Sequence, residues 1–187
     1  LKNGADMFLG CDKLKGFIEY NKNTDTDKNN SEFANYKTGY FTNLVGKNGD
    51  EKIGAVGEIL TAENLTLNDD KDFVAYEKFA AKDATYNRSM NAGTAWGTLC
   101  LPFAIDQSKV KGCKFYCLTG IDNDNDCITL EGYEGAEIPA GTPVLFKMNE
   151  GVQELEISAQ NAELVKEPVA GTNTDVNLVG SFTKIGG

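Results

Sequence analysis

Beyond residue 60, apolar and polar positions alternate with a period of two, the spacing of half-buried strands. In "ENLTLND" Leu65 and Leu67 share a face, and in "ATYNRSMN" Tyr86, Arg88 and Met90 oppose Thr85, Asn87 and Ser89. "CKFYCLTG", "DCITLEGY", "TPVLFKM", "QELEISA" and "VNLVGSF" are further short runs of β-branched, aromatic and aliphatic residues, parted by Gly, Pro, Asn and Asp. Short strands at this spacing predict an antiparallel sandwich or barrel. The expected class is all-β, an antiparallel β-sandwich of jelly-roll-like or immunoglobulin-like form. No run of helical length carries a 3.6-residue period, and "AQNAELVK" is expected to make only one or two helical turns.

One stretch breaks the alternation. "TAWGTLCLPFAI" (residues 94–105) is apolar on both faces if extended: Trp96, Thr98, Cys100 and Pro102 point one way, and Gly97, Leu99, Leu101 and Phe103 the other. Such a strand is expected to be buried on both sides or wrapped by a loop, with Trp96, Leu99, Cys100, Leu101 and Phe103 in the core. Pro102 lacks a donor and should mark where the strand leaves the sheet. The functional alternative makes the lone Trp96 an exposed platform for a sugar ring.

Composition narrows the setting. The 187 residues suit one domain, or one domain and part of a second. A net charge of −10, with Arg88 the one arginine, opposes binding to nucleic acid. No run approaches the roughly 18 apolar residues that span a bilayer, so no membrane insertion is expected. The chain opens without an initiator Met or signal-peptide pattern, as a mature or excised fragment would. Residues 1–50 carry seven basic and seven acidic residues, which leaves the whole imbalance to residues 51–187. "NKNTDTDKNNS" (21–31) reads as an exposed loop, and the Gly-punctuated "GKNGDEKIG" (46–54) as a boundary. The expected organisation is therefore 1–50 as N-terminal strands and 51–187 as a sandwich module.

Chemical devices are sparse. The chain has no His, which removes Ser-His-Asp, Cys-His and His-metal arrangements, and no phosphate-binding glycine loop. Five Cys leave at least one thiol unpaired. Cys113 and Cys117 would stand about 13 Å apart along a strand, too far for a disulfide. Cys117 and Cys127 flank "LTGIDNDND" as hairpin arms and could pair, or stay as small hydrophobic thiols. Asp122, Asp124 and Asp126 alternate like the start of a calcium loop, but the sixth position is Cys127 and the twelfth Tyr133, so a solvated turn is the competing reading. No cofactor is expected: calcium at these aspartates is the competing possibility, while thiols without His or a C-x-x-C argue against zinc. Among 28 acids a glycosidase carboxylate pair has material, yet nothing selects one.

"ATYNRSMNAGTAWGTLCLPFAI", "CKFYCLTGID", "CITLEGY", "IPAGTPVLFKM" and "VNLVGSF" together resemble a β-sandwich module of large secreted and surface proteins of anaerobic gut bacteria. The resemblance spans about residues 60–182, with "WGTLCLPF" and "IPAGTPVLFK" its most specific parts. It implies an extracellular or cell-surface address, neighbouring domains in the same polypeptide, and no catalytic residues. Modules of this kind continue past "VGSF" into further strands, and "ADMFLGCDKLKGF" with "ANYKTGYFTNL" looks like those closing strands. Residues 1–45 are thus expected as the tail of a preceding copy or a permuted edge contacting Leu178. The expected function is a non-catalytic spacer or interaction domain whose partner is an extracellular protein or glycan. The alternative is a glycan-binding module using Tyr36, Tyr40 or Tyr133; a carboxylate-based glycoside hydrolase comes third.

Overall fold

The computed structural model describes residues 6–171 and 176–184; the expectations that reach into 1–5, 172–175 and 185–187 lie outside them. Among the described residues twelve strands follow in chain order: β1 Asn43–Asn48, β2 Glu51–Ala55, β3 Thr61–Leu67, β4 Phe73–Ala75, β5 Phe79–Ser89, β6 Trp96–Leu99, β7 Ile105–Asp106, β8 Cys113–Asp122, β9 Cys127–Gly132, β10 Glu137–Ile138, β11 Val144–Met148 and β12 Glu154–Leu164. The only helical turns among the described residues are 3-10 turns at Thr26–Lys28 and Ser31–Phe33, so none crosses a membrane. The all-β expectation holds, in sandwich-like form and without barrel closure.

The strands form a four-stranded sheet, β6-β11-β8-β9, two three-stranded sheets, β12-β5-β3 and β2-β1-β4, and the short pair β10-β7. All ladders are antiparallel except β3 with β5. A single apolar core gathers side chains from every sheet, with Phe103, Phe146, Ile138, Leu155 and Ile157 fully enclosed.

In the β12-β5-β3 sheet the buried positions change parity midway. β12 buries Leu155 and Ile157, then Ala162 and Leu164; β5 buries Phe79 and Ala81, then Ala84 and Tyr86; β3 buries Ala62, then Leu65 and Leu67. The switch falls at one level, in the step that holds Glu63, Lys82 and Asn161 between the paired rows Ala62–Ala81–Ala162 and Asn64–Asp83–Gln160. Asn161 takes the left-handed conformation, φ 51°, there. All three strands turn over together, so the ladder keeps its register while the sheet offers its other face to the core. The "AQNAELVK" helical expectation is corrected accordingly. Its broken alternation belongs to this turnover, inside β12.

Three further expectations are corrected. "GKNGDEKIG" is no boundary: it is the β1–β2 hairpin, turning at Gly49 with φ 60°, a left-handed value that suits glycine. "VNLVGSF" forms no strand; Phe73 N–H donates to the Phe182 carbonyl (2.9 Å), and the Phe182 ring packs on Phe73. Residues 6–42 are turns and bends around one isolated bridge, Lys15–Glu19, not strands. They close a second, separate cluster of Phe8, Tyr20 and Tyr40, edge-to-face at 5.0–5.3 Å, rather than a permuted edge against Leu178.

Candidate functional site

The mid-chain segment divides at Leu99. Within β6 side chains alternate cleanly: Leu99 points into the core, while Trp96 and Thr98 face out. Past Leu99 the chain leaves the sheet and is wrapped, because Gly141 N–H donates to the Leu101 carbonyl (2.7 Å) and Val165 N–H to that of Pro102 (2.9 Å). Leu101, Pro102 and Phe103 are buried there, and Cys100 is half-buried, its thiol donating to the Gly141 carbonyl. The core assignment of Trp96 is therefore corrected: the indole is 41 % exposed. The physical reason is register. Trp96 differs in parity from Leu99, and the two-sided burial begins only after the strand has ended.

The four-stranded sheet then sets what surrounds the indole. Lys147 of β11 pairs with Trp96 of β6 and with Lys114 of β8; Leu145 of β11 pairs with Thr98 and with Tyr116; Tyr116 pairs with Gly132 of β9. Phe146, Val144, Met148 and Phe115 of the same strands turn inward and are buried. Alternation leaves Trp96, Thr98, Leu145, Lys147, Lys114 and Tyr116 on one outer face. Trp96 and Tyr116 lean toward each other over β11, ring centroids 5.1 Å apart and tilted by 54°. The Lys147 ammonium stands 5.2 Å from the indole centroid, a cation–π contact. Beside Tyr116, a Cβ on Gly132 would meet nothing within 4 Å, so the surface there is open.

Beneath the outer face, Gly97 is needed for closeness. A Cβ there would lie 2.6 Å from the Phe146 ring and 3.2 Å from the Arg88 guanidinium, which stacks on that ring at 5.5 Å. Arg88 also donates to the Thr98 carbonyl (2.8 Å) and pairs with Asp69, whose other oxygen accepts from the Tyr86 hydroxyl (2.6 Å). Burial first, then this bond, pushes the Tyr86 phenol up. The sole arginine thus covers an open carbonyl of β6.

A crevice of about 420 Å³ lies beside this network, between β6 and the segment 178–184. Its one carboxylate is Asp69, already held by Arg88 and Tyr86. Its one thiol, Cys100, is pushed by burial up to about 11. A shallower hollow carries Glu51 and Glu63, each bonded to a lysine, Lys71 and Lys82. Neither place brings together an acid and a base ready for proton transfer.

The other sequence-derived sites come apart. Cys117 stands opposite Glu131 and Cys127 opposite Asp122, so the proposed disulfide partners lie several residues apart along β9; all five cysteines are free. The hairpin turns tightly at residues 123–126, directly after Asp122, so Cys117 stands five residues along β8 from the position opposite Cys127. In the acidic turn, Asp122 accepts from the Asp124 and Asn125 amides and the Asn125 side chain, and the Asn125 bond lowers its carboxyl below the ordinary range. Asp126 adopts φ 52°, and among the described residues no three His, Cys, Asp or Glu side chains converge to hold a metal. Tyr40 is enclosed in the N-terminal cluster and is corrected as a surface ligand residue. Tyr36 and Tyr133 are half-buried, Tyr133 against the main core. The residues missed in the sequence are Tyr116, Lys114 and Lys147. Their signal was present in the alternation of "CKFYC" and "VLFKM", but only the register with β6 brings them to Trp96. No protein-family model matches the chain, and no curated protein or solved structure matches it.

Proposed function

We propose that this chain is a non-catalytic extracellular β-sandwich module, an interaction domain of a larger cell-surface protein, which binds carbohydrate through the outer face of its four-stranded sheet. The observation that carries this reading is the half-open Trp96 indole leaning on Tyr116, with open surface beside it. Aromatic rings are costly to leave in water and offer flat apolar faces to the C–H side of a pyranose. Scattered single apolar residues need no explanation, but two aromatic rings in contact on one sheet face do. The absence of His from the chain, and the engagement of Asp69, Glu51 and Glu63 by cations, support a binding rather than a catalytic role.

An immobilised-glycan array tests the reading with wild type and Trp96→Ala. Binding to a defined set of oligosaccharides, lost in the variant while its far-UV spectrum is kept, is the expected result. Binding that Trp96→Ala leaves intact, or none to any glycan, refutes the carbohydrate reading.

A further inference from the structure

We infer that the ligand of the outer face is an anionic saccharide, a uronic acid or sulfated pyranose, whose acid group sits between Lys114 and Lys147. This rests on the carbohydrate reading and adds its charge. Lys114 and Lys147 are directly opposed on neighbouring antiparallel strands, a placement that brings like charges close and destabilises a sheet when nothing intervenes. Neither forms an ion pair among the described residues, although acids outnumber bases by ten in this chain. The outer-facing positions that surround them in the register are Trp96, Thr98, Leu145, Tyr116 and Gly132. No carboxylate occupies that set, and Glu134, two residues past Gly132, makes no ion pair with either lysine among the described residues, so the two cations stand unneutralised on an acidic molecule.

Geometry joins the two cations to the aromatic surface. Lys147 stands over the indole at 5.2 Å, so an acid group bound there lies at the rim of the Trp96–Tyr116 pair rather than remote from it. A pyranose resting on the exposed part of the rings, toward the open side at Gly132, would have its ring covered by carbon and its carboxylate or sulfate met by two ammonium groups. Charge-assisted hydrogen bonds of this kind are about twice as strong as neutral ones and select for the anion. A short oligosaccharide suits the face better than a long polyanion, which the net charge of −10 repels at longer range.

Isothermal titration at physiological ionic strength decides between the charge classes. The probes are a trigalacturonate, a heparin-derived tetrasaccharide and neutral maltotriose and cellotriose, against wild type, Lys114→Gln/Lys147→Gln and Trp96→Ala. At least one anionic probe is expected to bind about tenfold or more tighter than either neutral one. The double lysine variant should lose that margin while keeping the wild-type melting temperature, and Trp96→Ala should lose binding altogether. Tight binding of a neutral probe, abolished by Trp96→Ala and untouched by the lysine variant, overturns the anionic inference and leaves the carbohydrate reading standing. Silence of all four probes, with a negative array, overturns both.

Discussion

Replacing Trp96 by Ala measures how the mid-chain segment is divided between core and surface. Trp96 keeps 41 % of its surface in water, so about three fifths is covered, with the Tyr116 ring and the Lys147 ammonium against it. From a side chain of about 250 Å², some 150 Å² is covered, worth about 3–4 kcal/mol at 25 cal/mol per Å² as an upper bound. Alanine retains part of that burial, the unfolded chain already hides some, and no closed cavity forms on an open face. The expected destabilisation is about 2 kcal/mol. Phe146→Ala, one register row away on the neighbouring strand but fully enclosed, adds a cavity and should cost about 3–5 kcal/mol. Urea unfolding followed by far-UV circular dichroism reads both, with equal slopes required for the comparison. Equal losses for the two variants would mean that the indole is interior, and the outer-face assignment would fall.

Other outcomes follow from single contacts. Gly97→Ala should destabilise by about 1–3 kcal/mol in the same urea assay, because the new Cβ meets the Phe146 ring at 2.6 Å and crowds Arg88. Iodoacetamide at pH 8, read by intact mass, should label the exposed Cys11 and Cys127 first. Cys100 and Cys113, with thiols pushed up to about 11 by burial, stay protonated and unreactive until the pH approaches that value or the chain unfolds. Millimolar calcium or a chelator should leave the melting temperature unchanged, since Asp122 is spent on the turn's own amides; a rise with calcium would show that those carboxylates converge on the ion.

What alternation could reveal, it did: β3, β5, β8, β9, β11 and β12 each follow from runs of period two bounded by Gly, Asn, Asp or Pro. Its failures have distinct physical causes. At Asn161 the parity of burial reverses within a continuous strand, and a broken period mimics a helical one. In β1 and β2 the residues are polar and glycine-rich because one hairpin side lies open, so a strand pair looked like a linker. "VNLVGSF" has strand composition, yet it joins no sheet ladder, and the chain is tied to β4 by Phe182 bonding Phe73 and, just beyond, by Lys184 bonding the Asp72 side chain. Trp96 reads as core from its neighbours in sequence, Leu101 and Phe103, but these lie two and four residues past Leu99, where the chain has already left the sheet. The outer face itself was beyond reach. It assembles residues 96, 114, 116 and 147 through cross-strand pairing, which no local pattern encodes.

The lone tryptophan allows the central claim to be tested without any ligand, by collisional quenching of its fluorescence with iodide and with caesium. An indole half-open on a face with two unneutralised lysines should be quenched by both ions, and more strongly by iodide, against the sign of a protein carrying a net charge of −10. The lysine double variant should erase that preference. Emission that neither ion quenches, or that caesium quenches more, would contradict the account.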